Sequence, residues 1–313
     1  MGNSDTIRFN QGALESAEGE MRKVAVVTDS TCCLPPELVT KHSIRIVPLL
    51  ICIGGKAFRD NVDITAQEVY RIMRRDEDLP TTSVPTPDDF FKAFVDAGRE
   101  AEGIVCITLT GLQSKTYETA VLGKKIAEEA IPETAIEVID SRAVSGALGF
   151  TVLEAARAAE KGADIKEVCE VARKTSSRMN FLAMVDTLHF LARTGRIARA
   201  AAWAGAALNM KPILEHSTAV GETAPFARPR SKAKAVELML QTMTERVGTS
   251  KVHVLVHHAD ELQDGENLRS EVARRFKCAE LYLTEFTPIM GVHAGPGVLA
   301  IAFWKDEDTT TSR

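Results

Sequence analysis

The sequence predicts an α/β fold made of two α/β domains, with a mostly parallel sheet in the first and a cleft between them. Three observations carry the prediction. Apolar runs of strand length alternate with helical patterns from Arg22 onward. The 313 residues make about twice a typical domain length. Polar clusters rich in Ser and Thr recur where strands should end, the place where open parallel sheets meet their ligands.

The elements follow in chain order. Residues 1–21 read as a disordered leader, because Met1 to Glu20 is polar and acid-leaning with Arg8 its only base. A secretory signal needs a basic start and an apolar stretch, and neither is there. Val24 to Val27 is a buried strand that leaves into Thr28-Asp29-Ser30-Thr31, and a helix spans Pro35 to Lys41. Ile44 to Ile53 is extended and turns at Gly54-Gly55. Thr65-Ala66-Gln67-Glu68 has the form of a capping box, and Thr86-Pro87-Asp88-Asp89 opens the next helix. Ile104 to Leu109 is a strand, Ser114 to Ala130 a helix and Ile136 to Ile139 a strand. Helices over Ser145 to Lys161 and Ile165 to Ser177 close the first domain, 22–177, with the polar stretch Lys174 to Arg178 as its boundary.

The second domain, 178–305, has strands at Phe181 to Val185, Pro212 to Glu215, Val252 to Val256, Leu281 to Glu285 and Val298 to Phe303. Its helices are Thr187 to Ala192, Ile197 to Leu208, Ser231 to Arg246 and Glu261 to Arg275, and residues 306–313 form a polar tail. The uncharged run Phe286 to Trp304 nears the length of a membrane span. Its three glycines and two prolines would leave backbone groups unsatisfied in lipid, so it reads as a loop followed by a buried strand. No stable membrane insertion is expected.

Composition narrows the function. Hydrophobic residues at 45% and charged ones at 26% exclude a chain disordered throughout. A net charge of −5 has the wrong sign for a nucleic-acid surface. Six cysteines lack CxxC spacing, and no HExxH pattern is present, so neither zinc nor any other cofactor is expected. Reduced thiols fit a cytoplasmic protein.

Four polar loops are candidates for one shared crevice: Thr28 to Thr31, Thr81-Thr82-Ser83-Val84-Pro85, Thr108 to Tyr117, and Asp140-Ser141-Arg142. Any one of them is accounted for as a helix cap; several at equivalent strand ends point to a site. Around Lys115-Thr116 a phosphate loop would need glycine at positions 109 and 114, where Leu109 and Ser114 stand. What remains is a helix start able to hold one small anion. No GxGxxG follows a strand and no GxSxG is present. Gly195 permits a sharp turn among Arg193, Arg196 and Arg199, which either form ion pairs or serve a site. His293 lies in a glycine-rich segment that allows close backbone approach, whereas His257-His258 read as structural or exposed.

Taken in order, seven segments resemble the DegV family of bacterial fatty-acid-binding proteins. They are Val26-Val27-Thr28-Asp29-Ser30-Thr31, Thr81-Thr82-Ser83-Val84-Pro85, Ser114-Lys115-Thr116-Tyr117 and Asp140-Ser141, followed by Gly195-Arg196-Ile197, Lys211-Pro212-Ile213 and His293-Ala294-Gly295-Pro296-Gly297. The match spans Arg22 to Trp304. The resemblance implies a long-chain fatty acid in a buried tunnel between two α/β domains, with no complete active site in this chain. It implies that Thr82, Ser83 and Ser114 hold the carboxylate, with Arg196 and His293 near the acyl head. The implied partner is a separate ATP-dependent fatty-acid kinase, whose acyl-phosphate product feeds phospholipid synthesis. One departure stands out: Lys115 occupies a place where the family usually has Gly. The rival reading is a transferase or hydrolase acting on a small anionic substrate in the same cleft.

Overall fold

A computed structural model describes residues 21–75, 79–197 and 210–306. The expected leader, the tail beyond Asp306, Arg199 and nearly all of the helix expected over Ile197 to Leu208 lie outside the described residues.

The chain forms a mixed α/β structure around two main sheets. The first is wholly parallel, in the order β2 (Arg45–Val47), β1 (Arg22–Asp29), β6 (Ala101–Thr108) and β7 (Ala135–Asp140). Val24 to Asp29 are all buried, the continuous apolar pattern of a strand covered on both faces. Ala25 and Val27 pack with Phe90 of α3 (Pro87–Gly98) and Ala120 of α4 (Thr116–Ala130). Val24 and Val26 share a core with Leu148 of α5 (Ser145–Glu160) and Val168 of α6 (Ile165–Arg178).

The second sheet has six strands in the order β10 (Glu222–Ala227), β9 (Ile213–Ser217), β8 (Asn180–Met184), β13 (Leu299–Lys305), β11 (Val252–His258) and β12 (Cys278–Glu285). It is antiparallel except for the β11–β12 pair. Alternation along β8 divides its side chains between two cores. Leu182 and Met184 pack with Met239 and Leu240 of the Lys232–Val247 helix, while Phe181 and Ala183 join the core that contains α5. One apolar mass therefore runs from the first sheet to the second.

A small antiparallel sheet, β4 (Lys56–Arg59), β3 (Leu50–Ile53) and β5 (Thr81–Ser83), sits beside them. The expected capping box of α2 (Ala66–Met73) is present: the Glu68 amide donates to Thr65 Oγ1 and the Thr65 amide to Glu68 Oε2. Such a cap contributes about 1 kcal/mol.

Four expectations are refined by the structure, and two of them, the loops at Thr81 to Ser83 and at Pro288 to Ala294, are overturned. Lys174 to Arg178 is the last turn of α6, with Thr175 and Ser176 buried and the Ser176 hydroxyl bonded to the Ser141 carbonyl. Part of its polarity is satisfied inward, and sheet membership changes after it, at β8. Thr81 to Ser83 is a strand paired to β3. Pro288–Ala294 is a helix, α10, where a loop was expected. Gly291 inside it makes room for Tyr70, whose ring carbon would lie 2.6 Å from an added Cβ. Finally, His257 and His258 are buried, which leaves their structural reading standing and removes the exposed one.

Candidate functional site

The strand ends of the first sheet are tied together by one buried carboxylate. Asp29 Oδ1 accepts from the Thr31 amide and hydroxyl, and Oδ2 accepts from the Leu109 amide at 2.8 Å. Burial pushes the Asp29 carboxyl up, against the pull of those three bonds. The loop after β1 is thereby locked to the loop after β6. Next to it, Ser30 Oγ accepts from the Leu49 amide and holds the approach to β3.

Above these loops lies a cavity of about 480 Å³. Its wall is largely apolar, with Leu49, Val144, Phe181, Ala183, Phe286 and Ile289 among the residues that form it. Loops that follow strands of the first sheet, strands of the second sheet and α10 all contribute to that wall. Thr82, Ser83, Ser114, Arg196 and His293 all line the same cavity. The structure therefore brings together all five residues singled out from the sequence.

Their geometries differ. Thr82 Oγ1 lies 3.1 Å from His293 Nε2. His293 Nδ1 is buried with no partner, and burial, followed by the nearby Arg196 and Arg193 charges, pushes the ring down to about 3. His293 is therefore neutral at physiological pH. Ser83 follows Thr82 on β5, so its side chain takes the opposite face; it is exposed, and its hydroxyl turns back to the Val84 carbonyl. Ser114 is half-buried just ahead of α4, where its Oγ meets Thr116 Oγ1 at 2.7 Å and accepts from the Thr116 amide. Lys115 points outward and pairs with Glu118 at 2.8 Å.

Arg196 reaches the cavity because α7 (His189–Thr194) ends at Gly195, whose φ of +74° reverses the chain. Its guanidinium donates to the Thr194 carbonyl and has no carboxylate partner among the described residues. The ion-pair reading of Arg196 is thus not realised there. Partial burial lowers its pKa. Arg193 instead donates to the Pro80 carbonyl at 2.8 Å and braces the entry to β5.

Asp140-Ser141-Arg142 does not line the cavity. It serves as the seat of the β9–β10 hairpin: Arg142 donates to the Ala219 carbonyl, and its own carbonyl meets His216 Nε2 at 2.9 Å. A carbonyl only accepts, so His216, held neutral by burial, carries its proton on Nε2. His216 Nδ1 then accepts from the Thr223 hydroxyl, which in turn accepts from the Gln113 amide. This chain fixes Gln113 beside Ser114. Sequence reasoning missed it, since β10 has no apolar alternation to announce a strand.

The cysteines supply no nucleophile in this region. Burial pushes Cys33 up to about 11 and Cys32 further, so both remain thiols. No helix among the described residues is long and apolar enough to cross a membrane.

Comparison with known proteins agrees with this geometry. Residues 23–306 match the DegV family, described as "Uncharacterised protein, DegV family". A DegV domain-containing protein of Caldanaerobacter subterraneus is 33% identical over 289 residues, covering 90% of this chain and 99% of that protein. One of Streptomyces coelicolor is 32% identical, covering 90% and 98%. Among solved structures, a fatty-acid-binding DegV family protein from Thermus thermophilus superposes with a TM-score of 0.83 at 31% identity, covering 91% of this chain and 100% of the other. A stearic-acid-binding protein from Eubacterium ventriosum gives 0.82 at 26% identity, covering 90% and 98%. The chain belongs to the DegV family.

Proposed function

We propose that this protein binds a long-chain fatty acid in the cavity and presents its carboxylate to a separate ATP-dependent kinase. The observation that carries the reading is the polarity of the cavity. Its wall is largely apolar, while Thr82, Ser114, Arg196 and His293 are among the polar residues that line it. Thr82 is in contact with His293, and the Arg196 charge acts on the same ring. A fatty acid has the same division of character. The fatty-acid binding of the Thermus thermophilus and Eubacterium ventriosum relatives supports the same ligand class.

The energetics divide the work. Burying the tail contributes about 0.8 kcal/mol per methylene, and a hydrogen bond to a charged head about 1.5–3 kcal/mol. The tail sets affinity and the head sets orientation. A carboxylate only accepts, so Thr82 donates its hydroxyl proton to it. His293 Nε2–H then donates to Thr82 Oγ1, which selects the Nε2 tautomer of the neutral ring. Among the hydroxyls, Thr82 and Ser114 take the head in this reading and Ser83 makes a smaller contribution from the rim.

A second hollow of about 460 Å³ adjoins the head, sharing Leu112, Gln113, Arg196 and Thr223 with the main cavity. It leaves room for a phosphoryl donor to approach the carboxylate. Arg196, without a carboxylate partner among the described residues, would meet negative charge developing on the transferring oxygens. This chain has no phosphate-binding loop, so the nucleotide belongs to the partner. The test is acyl-phosphate formation from palmitate, ATP and the cognate kinase. Product that depends on this protein supports the carrier role; equal product without it refutes that role.

A further inference from the structure

Behind the cavity wall sits a carboxyl group that the head-group chemistry does not use. Asp60 follows β4 and is 2% exposed. Its amide donates to the Leu49 carbonyl at 2.9 Å, and its Oδ1 accepts from the Ile289 amide at 2.9 Å. Leu49 and Ile289 both line the cavity. Asp60 Oδ2 is buried and makes no hydrogen bond of good geometry, although the Ser30 and Thr287 hydroxyls are close enough to favour its charge. The turn that holds it is tied by three hydrogen bonds from Arg59 to Asp63.

This places Asp60 at one end of α10 and His293 at the other. The helix is fastened to the small-sheet region twice, by Asp60 to Ile289 and by Thr82 to His293. Tyr70 presses on its middle at Gly291. Any change at Asp60 therefore acts on a cavity wall and on the seat of His293.

We infer that Asp60 makes loading of the channel proton-linked: it takes up a proton from solvent when an apolar tail fills the cavity and returns it when the tail leaves. The inference rests on the fatty-acid reading above and adds a mode of regulation to the same site. Two effects act in one direction. Filling the cavity replaces whatever polar surroundings reach the wall with hydrocarbon, which disfavours a buried charge. The incoming head group is a second carboxylate, and like charges disfavour one another.

The surroundings make the group responsive. Burial pushes Asp60 up to about 7, although the Ser30 hydroxyl, the Ile289 amide and the Thr287 hydroxyl pull it down. The groups facing it are acids or neutral: Asp29 from the end of β1, Cys32 and Cys33 from the turn that follows, and Tyr70 from α2. His293 and His257, each pushed down to about 3, stay neutral across this range and do not confuse the signal.

The experiment compares the full-length protein with Asp60→Asn, which keeps the acceptor for Ile289 and removes the titration. Palmitate binding is measured by calorimetry from about pH 6 to about pH 8, in two buffers of different ionisation enthalpy. Wild type should weaken with rising pH relative to Asp60→Asn, approaching about tenfold for a one-unit rise on loading. Near pH 7 it should take up more protons per palmitate than the variant; coincident affinity profiles and equal uptake overturn the linkage alone. If neither protein binds palmitate at any pH, the fatty-acid reading falls and the linkage with it. A measurement on wild type needs no variant. The Ile289 amide shift, followed with selectively labelled isoleucine, should titrate near pH 7 when empty and at higher pH when loaded, and an unmoved midpoint overturns the proposal.

Discussion

The Thr82 hydroxyl and His293 Nε2 lie 3.1 Å apart although 211 positions separate them in the chain. One comes from a three-residue strand of the small sheet, the other from the last turn of α10. Their meeting joins two distant parts of the chain at the wall of a largely apolar cavity. The head-group reading depends on that contact, and so do the first two predictions.

Thr82→Val keeps the branched shape and removes the donor. It should weaken palmitate binding about tenfold or more, the loss expected when a charged acceptor is left with one partner fewer. Ser83→Ala should cost less, since its hydroxyl faces the Val84 carbonyl. Calorimetry on the two variants checks this ordering, and a larger loss at Ser83 would reverse the assignment.

Arg196→Ala should still bind palmitate and lose most acyl-phosphate formation with the kinase and ATP, because removing a group aimed at developing charge costs about a hundredfold or more. His293→Ala removes a link of the hydrogen-bond relay, so it should impair both binding and transfer. Parallel binding and turnover assays separate the two patterns. Wild-type transfer by Arg196→Ala would remove that residue from the mechanism.

Ala183 lines the cavity from β8. Ala183→Phe should fill part of it and shift preference toward shorter acids, with each excluded methylene costing about 0.8 kcal/mol. A series of acids from decanoate to stearate, measured by displacement of a fluorescent fatty acid, would reveal the shift. An unchanged series would mean that the tail runs elsewhere.

At the opposite end of β11, His253 stacks on Trp304 with ring centroids 4.0 Å apart and bonds Glu280 at 2.7 Å and Asp306 at 3.0 Å. Burial opposes its charge, but the two carboxylates prevail and raise its pKa above the ordinary 6.5. A histidine raised in the folded state contributes stability below its unfolded value and loses it as pH rises through the folded one. The stability advantage of wild type over His253→Phe should therefore be larger near pH 6 than near pH 8.5. Thermal unfolding at the two values tests it; a constant difference would show that stacking alone matters.

Much of this was legible in the sequence because its signals are local. The buried strand at Val24 to Val27, the Thr65 capping box and the Gly195 turn each follow from a few neighbouring residues. Thr82, Ser83, Ser114, Arg196 and His293 could be named through the segments that resemble the DegV family, and all five line one cavity. Contacts between distant segments had no such signal. Thr81 to Ser83 looked like a loop because three polar residues announce no strand until β3 pairs with them. Pro288 to Ala294 looked like a loop because Gly291 has a packing purpose, the close approach of Tyr70, that only the fold reveals. Asp60 was silent for the same reason: a lone acid after a short strand becomes notable only when Leu49 and Ile289 close around it.

The central claim is that this cavity holds a fatty acid, and native mass spectrometry of the purified protein tests it most directly. The account predicts an adduct of long-chain fatty-acid mass that is lost on denaturation and appears as free acid in the extract. It also predicts that added palmitate exchanges with the adduct and that Thr82→Val retains less of it. A protein that carries no adduct, takes up no added palmitate and instead turns over small esters or phosphates would contradict the account.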